Sequence, residues 1–200
     1  MSGSLRRLRP AAALVALVMG AAACPAGTPT PAAAPCAPVD GVLAAGTRAD
    51  VLAGRFRLVM TATGGLQSGQ SAMGTLRLEA FGGQPLPVPA AAGVRYPLFG
   101  GADVDVARVG AFAVGDVRRA DPSAPGVLVM EYARANAPAG TNDILLRLGA
   151  DSNSRGQQRF DGAFLALAVR SVSADGFAGT WESGAGQPQS AGYFCAQRIS

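Results

Sequence analysis

Apolar and polar positions alternate in short segments from residue 54 almost to the end of the chain, and turn residues separate these segments. In the clearest one, residues 54–63, the apolar side chains of Phe56, Leu58 and Met60 fall on every second position. A period of two places them on one face of a half-buried strand. Residues 74–81 repeat the pattern after a glycine-rich stretch, so the two segments predict a hairpin with Arg57 and Glu79 on its polar face.

Further segments of the same kind bring the expected number of strands to about eight. Asp-Gly and Pro-Gly pairs between them are typical turn residues. Because no convincing amphipathic helix separates the segments, they predict an all-β fold: an antiparallel up-and-down β-barrel, with a β-sandwich as the alternative. The further segments are residues 104–109, 127–133, 144–148, 163–172, 177–182 and 193–198.

The remaining parts of this region predict short or irregular structure. Residues 51–52 indicate a short turn of helix before the first strand. Residues 82–101, which include four prolines, and residues 110–126 are too long for hairpin turns. Long loops often carry function, and in a barrel they would lie at a rim and could cover its mouth.

The N-terminal region has the three parts of an export signal. Arg6, Arg7 and Arg9 give a positively charged start, residues 11–19 are apolar, and small residues follow to position 23. A bilayer-spanning helix needs about 20 apolar residues, roughly twice this run, so residues 1–23 predict a signal peptide. The Pro/Ala-rich residues 24–38 predict a disordered tether, and residues 39–200 a single β-barrel domain.

The three cysteines predict an anchor and a bridge. The segment Ala21-Ala22-Ala23-Cys24 resembles the bacterial lipoprotein motif, which implies a lipid on Cys24 that holds the protein at a membrane. It departs from the pattern at Ala21, where leucine is usual, and at Pro25; ordinary cleavage before Cys24 is the alternative. Cys36 and Cys195 then form an even pair, expected as a disulfide. The expected location is the cell envelope, as a periplasm-facing or outer-membrane lipoprotein, or otherwise outside the cell.

Charge and residue types exclude several functions. All 17 basic residues are arginine, and removal of the leader leaves 14 against 13 acidic residues, so no nucleic-acid partner is expected. Without histidine, Ser-His-Asp and Cys-His catalysis is excluded, and no cofactor or metal site is predicted. The polar turn at residues 151–156 begins like a calcium loop but has Arg155 where an oxygen ligand is expected. We therefore expect a non-enzymatic protein; the alternative is a carboxylate hydrolase that uses Asp103, Asp105, Glu131 or Glu182.

Two strand segments have glycine, threonine and a large apolar residue in succession, Gly74-Thr75-Leu76 and Gly179-Thr180-Trp181, and residues 54–56 and 192–194 are looser copies. This texture resembles lipocalin-like and avidin-like barrels over roughly residues 54–198. It departs from the lipocalins because their Gly-x-Trp belongs to the first strand, whereas the single tryptophan here lies near the end. The resemblance implies a barrel interior that could hold one small apolar ligand.

Two functions follow from these expectations. The leading hypothesis is an exported, lipid-anchored envelope protein that binds a small apolar ligand inside the barrel. The alternative is a structural or protein-interaction module of the envelope, with a filled barrel core and an unknown protein partner. An open interior favours the first, and a filled interior the second. The residues expected to line the interior are Phe56, Leu58, Leu76, Phe177, Trp181 and Tyr193.

Overall fold

A computed structural model describes residues 36–81, 93–111, 126–148, 163–185 and 187–199. Its eight strands form a closed antiparallel barrel in chain order, with the first strand paired to the last. This confirms the predicted barrel, and the closure excludes the β-sandwich. The strands are β1 (Gly54–Gly64), β2 (Ser71–Ala80), β3 (Val94–Val104), β4 (Val127–Ala133), β5 (Asn142–Leu148), β6 (Ala163–Ser173), β7 (Gly176–Ala185) and β8 (Gln187–Arg198).

The core lies inside the barrel and follows from the alternation seen in the sequence. In β1, Phe56, Leu58 and Met60 are fully buried, whereas Arg55 and Arg57, at alternate positions, are exposed. Inward and outward side chains alternate because successive residues of a strand point to opposite faces. We call the end at which β1 begins the lower end of the barrel, and the opposite end the upper end.

The predicted strand at residues 104–109 is wrong. β3 ends at Val104, and Val106–Val109 forms a 3₁₀ helix that ends at Gly110 in the left-handed conformation, with φ of 70°. Val106 and Val109 are both buried. Residues three apart share a face of a 3₁₀ helix, so their spacing fits this element as well as it fits an irregular strand.

The expected loop at residues 82–101 is also wrong in its second half, where β3 begins at Val94. Pro97 lies within this strand, although proline cannot donate to a ladder. The β3–β4 register shifts between Arg95 and Leu98, so Pro97 occupies an irregularity where no such hydrogen bond is required. Its carbonyl accepts a hydrogen bond from the backbone N–H of Phe81 at 3.0 Å. The remainder, residues 82–92, lies outside the described residues, as does most of 110–126.

The disulfide between Cys36 and Cys195 is confirmed, with a Cα–Cα distance of 5.6 Å. It fastens the segment before β1 to the outer face of β8. Cys36 lies within the predicted tether, residues 24–38, and this bond fixes it on the barrel. The signal peptide at residues 1–23 and Cys24 lie outside the described residues and stay predictions. Within the part of the chain that is described, no helix is long and apolar enough to cross a membrane.

Candidate functional site

A 3₁₀ helix at Ala49–Leu52 closes the lower end of the barrel and confirms the predicted turn of helix before β1. Ala49 and Leu52 are buried in the same apolar cluster as the barrel interior. The helix contacts β3 and β4. Since a single 3₁₀ turn has little stability of its own, its position must come from its contacts with the barrel.

Glu131 on β4 provides the central contact of this closure. Its carboxylate is only 5% exposed, accepts three hydrogen bonds and forms an ion pair with Arg48. Oε2 accepts from the backbone N–H of Ala49 at 2.8 Å and from Arg95 at 3.0 Å. Oε1 accepts from Asn142 at 3.3 Å and lies 2.9 Å from Nε of Arg48 in the ion pair. Both oxygens are therefore engaged by partners, and the carboxylate links the 3₁₀ helix to the barrel strands.

Arg95 on β3 joins Glu131 to the 3₁₀ helix, because it also bonds the side chain of Asp50. The hydrogen bond from Arg95 lowers the pKa of the Asp50 carboxyl below its ordinary value of 3.8. In turn, its bonds to Glu131 and then to Asp50 raise the pKa of Arg95. The side chains of Asp50, Arg48 and Arg95 are about half exposed. Solvent therefore screens their ion pairs more strongly than it screens the buried hydrogen bond between Glu131 and Ala49.

Arg198, the last residue of β8, holds the other side of the same helix. Its guanidinium donates to the carbonyls of Ala53 at 2.9 Å and Val51 at 3.2 Å. It also lies over the ring of Phe56, 4.8 Å from the centroid, in a cation–π contact. Gly54 leaves the room for this arrangement, since a Cβ there would come within 2.4 Å of the guanidinium. The N-terminal segment is therefore attached to both β4 and β8.

The second 3₁₀ helix covers part of the upper end. It contacts β1 and β2, and its Val106 and Val109 belong to the buried core. The Ser190 hydroxyl, at the start of β8, donates to the carbonyl of Gly110 at 2.7 Å. Described segments therefore contribute apolar side chains to the core from both ends of the barrel.

The interior itself is filled by side chains. Of the positions expected to bind a ligand, Phe56 and Leu58 are fully buried, Leu76 is 1% exposed, Trp181 2% and Phe177 4%. Side chains that line a water-filled cavity keep part of their surface accessible, so these low values indicate close packing around the five residues. The Phe177 ring packs edge-to-face on Phe56 at 5.0 Å. Five of the six expected interior residues do face inward, but they pack on one another.

Tyr193 is the exception and requires a correction. It pairs with Thr61 of β1 and Thr180 of β7, which both point outward. Its neighbours Phe194 and Gly192 occupy the buried, inward positions of β8. Tyr193 therefore lies on the outer surface and does not line the interior, because alternation fixes its side to the face opposite Phe194.

Trp181 is held by an unusual contact across a strand. Its indole N–H donates to the carbonyl of Thr61 on β1 at 3.2 Å, although β8 lies between β7 and β1. Gly192 of β8 permits this approach: a Cβ there would come within 1.8 Å of the Thr61 oxygen and 2.8 Å of the indole nitrogen. The polar atom of the only tryptophan is thus satisfied inside the core.

The structure places Asp103, Glu131 and Glu182 apart from one another on the barrel. Asp103 is exposed on β3 and Glu182 is exposed on β7, four strands away in either direction around the barrel. Asp105 lies two positions after Asp103, before the second 3₁₀ helix, and Glu131 is buried at the lower end. Among the described residues, no three potential metal ligands cluster.

Sequence reasoning missed the residues that close the lower end. The sequence indicates Glu131 only as a catalytic candidate, and it predicts no role for Arg48, Arg95 or Arg198 in closing the barrel. One signal was available: Glu131 shares its parity in β4 with Val127 and Val129, the inward positions. A charged residue at an inward position needs partners, which predicts a buried polar cluster.

The outer face of β1, β2 and β3 carries a groove of about 670 Å³. Arg55 and Arg77 lie directly opposite each other there, as paired residues of β1 and β2. Gly101 of β3, the neighbour of Arg77 on its other side, has no side chain to fill the space. Arg57 and Glu79 both lie on the exposed face of the hairpin, as predicted, but Arg57 pairs with Thr75, and Glu79 forms an ion pair with Arg77 of its own strand at 3.2 Å.

Comparison with known proteins gives neither a family nor a function. No protein-family model and no curated protein matches the chain. Among solved structures, EF1p2_mFAP2b bound to DFHBI shares 13% identity at a TM-score of 0.35, covering 76% of this chain and 96% of that chain. A redesigned beta barrel, mFAP1, bound to DFHBI shares 14% identity at a TM-score of 0.33, covering 76% and 100%. The fold assignment rests on the strand pairing described above.

Proposed function

We propose that the chain is an exported, non-enzymatic protein of the cell envelope, in which a sealed barrel serves as scaffold and its outer surface contacts another envelope component. The filled interior carries this proposal. Because the inward side chains pack on one another, the surface left for a partner is the outer one. The separation of Asp103, Glu131 and Glu182 supports the absence of carboxylate catalysis.

Export is supported by the disulfide, since such bonds persist in oxidising compartments. In this proposal residues 1–23 direct export, and Cys24 becomes the lipid-bearing N-terminus that keeps the barrel at a membrane. Intact mass of the protein purified from a bacterial envelope tests this part. A diacylglyceryl increment on a chain that starts at Cys24 is expected, and an unmodified mature chain would contradict the anchor.

The contact surface can be located with photo-crosslinking residues placed at two exposed outward positions. Met73 on β2 and Glu182 on β7 lie on different sides of the barrel, so each serves as the control for the other. The proposal expects one of them to capture a defined envelope component repeatedly in living cells. Capture from neither position, or equal, unspecific capture from both, would contradict it.

The second candidate is uptake of a small apolar ligand inside the barrel, favoured by the apolar and aromatic character of Phe56, Leu76, Phe177 and Trp181. A ligand there would have to displace packed side chains or the Ala49–Leu52 helix. Incubation of the purified protein with a lipid extract, followed by mass spectrometry, separates the two candidates. Retention of an apolar molecule supports uptake, whereas a bare polypeptide supports the scaffold.

A further inference from the structure

The outer groove beside Arg55 and Arg77 has the composition of a binding site. On antiparallel strands, directly opposed residues have Cβ atoms about 5 Å apart, and like charges in this relation destabilise the sheet. An anion between the two cations would relieve this repulsion. The opposition of Arg55 and Arg77 therefore points to an anionic ligand in the groove.

The two arginines differ in how they are neutralised. Arg77 bonds Glu79 at 3.2 Å, and both side chains stay about half exposed or more. Arg55 makes no side-chain ion pair within the described part of the chain, while its backbone carbonyl accepts from the N–H of Ile199 at 2.9 Å. Each guanidinium has five N–H donors in a planar fork, so one bond to Glu79 leaves Arg77 able to receive a second anion.

The other groove walls offer a different chemistry. Thr75 contributes a hydroxyl, and Glu79 and Asp103 contribute carboxylate acceptors. Gly101 leaves the floor open between these groups. The volume, about 670 Å³, lies within the range of small-molecule sites, about 300 to 1,000 Å³.

We propose that this groove binds a small hydroxylated oxyanion, whose carboxylate or phosphate group lies between Arg55 and Arg77 and whose hydroxyl groups donate to Asp103 and Glu79. Arginine forks match the planar geometry of such groups and bind them through paired, charge-assisted hydrogen bonds. The acidic wall selects for ligands that also carry donors. This inference rests on the proposed role of the outer surface and names the ligand class of one part of it.

Three sugars test the proposal by calorimetric titration of the full chain: glucuronate carries a carboxylate, glucose 6-phosphate a phosphate, and glucose neither. We expect one or both of the anions to bind and glucose to bind at least tenfold more weakly. The stronger of the two anions identifies the source of the oxyanion. Equal binding of glucose, or no binding of either anion up to the solubility limit, would overturn the site.

Variants test the residues. Arg55→Gln and Arg77→Gln each weaken anion binding at least tenfold, and Arg77→Lys retains the charge but loses the fork, so it falls between wild type and Arg77→Gln. Arg108→Gln, at an exposed position on the second 3₁₀ helix, is the matched control and leaves binding unchanged. Circular dichroism verifies that each variant is folded. If Arg108→Gln weakened binding as much as Arg55→Gln, diffuse charge would explain the effect and the site would be refuted.

Failure of this inference is distinguishable from failure of the proposed function. A groove without anion affinity leaves the sealed interior and the crosslinking result untouched. Retention of an apolar ligand inside the barrel would contradict the scaffold proposal without changing the expected sugar titrations.

Discussion

The carboxylate of Glu131 accepts a hydrogen bond from the backbone N–H of Ala49 at 2.8 Å, across 82 positions of the sequence. This contact places a short 3₁₀ helix at the lower end of the barrel. It also explains how a lone acid is kept in an apolar strand, because Arg48, Arg95 and Asn142 provide its other three partners. Polar contacts therefore hold the Ala49–Leu52 helix, whose buried apolar side chains close the lower end.

Glu131→Gln should destabilise the protein by about 2 to 3 kcal/mol, because the amide lacks the charge that Arg48 and Arg95 contact and its NH₂ group faces donors. Urea denaturation measures the change in the free energy of unfolding. Glu79→Gln is the control, since Glu79 is exposed and makes one surface bridge, worth about 0.5 kcal/mol. Equal losses of unfolding free energy in the two variants would mean that Glu131 does not hold the Ala49–Leu52 helix in place.

The predicted sensitivity to acid follows from Asp50. Arg95 lowers the pKa of this carboxyl in the folded protein below its ordinary value of 3.8, so its contribution to stability is present above that value. It is lost as the pH falls through the lower, folded pKa. Asp50→Asn should therefore flatten the decline of unfolding midpoint with pH below about 4. An unchanged acid profile in Asp50→Asn would contradict the contact.

The disulfide should be a main source of stability. Cys36 and Cys195 are 159 positions apart, and closing a loop of this length gives up to about 5 kcal/mol in the chain-entropy model. Replacing both Cys36 and Cys195 by serine should lower the free energy of unfolding, measured by urea denaturation, by about 3 to 5 kcal/mol. Cys24→Ser is the matched control and should leave it unchanged. A loss below about 1 kcal/mol would show that the bridge constrains little.

Gly192 should be intolerant of any side chain. In Gly192→Ala the new Cβ would collide with the Thr61 carbonyl and the Trp181 indole nitrogen. We expect a loss of about 3 kcal/mol or more, with a red shift of tryptophan fluorescence as the indole loses its partner and its packing. Gly64→Ala on β1 is the control, because no atom lies within 4 Å of the position that its Cβ would take. A stable Gly192→Ala protein with unshifted fluorescence would refute the cross-strand contact.

The alternating segments predicted the barrel, but the pattern of apolar and polar residues did not predict every strand boundary. β1 and β4 were predicted almost to the residue, since one face of each is largely apolar. β8 begins at Gln187, six positions before the expected start, because its first residues are polar or small and carry no visible period. β3 was hidden by Pro97, which the sheet accommodates at a register shift that depends on β4.

The site was less predictable than the fold for a physical reason. The closure of the lower end joins residues from the segment before β1, from β3, β4, β5 and β8, and only the barrel brings them together. The opposition of Arg55 and Arg77 depends on the β1–β2 register, which a glycine-rich turn did not define in advance. Tyr193 has a different cause: the alternation along β8 gives the inward positions to Gly192 and Phe194, so Tyr193 faces outward.

The central claim, that the barrel interior is filled, is tested most directly by a crystal structure of the protein under xenon pressure. Xenon enters apolar cavities that are large enough and stay dry. Our account predicts no xenon density among Phe56, Leu76, Phe177 and Trp181, with their side chains in contact. A bound xenon atom or an unexplained elongated density in that space would contradict it.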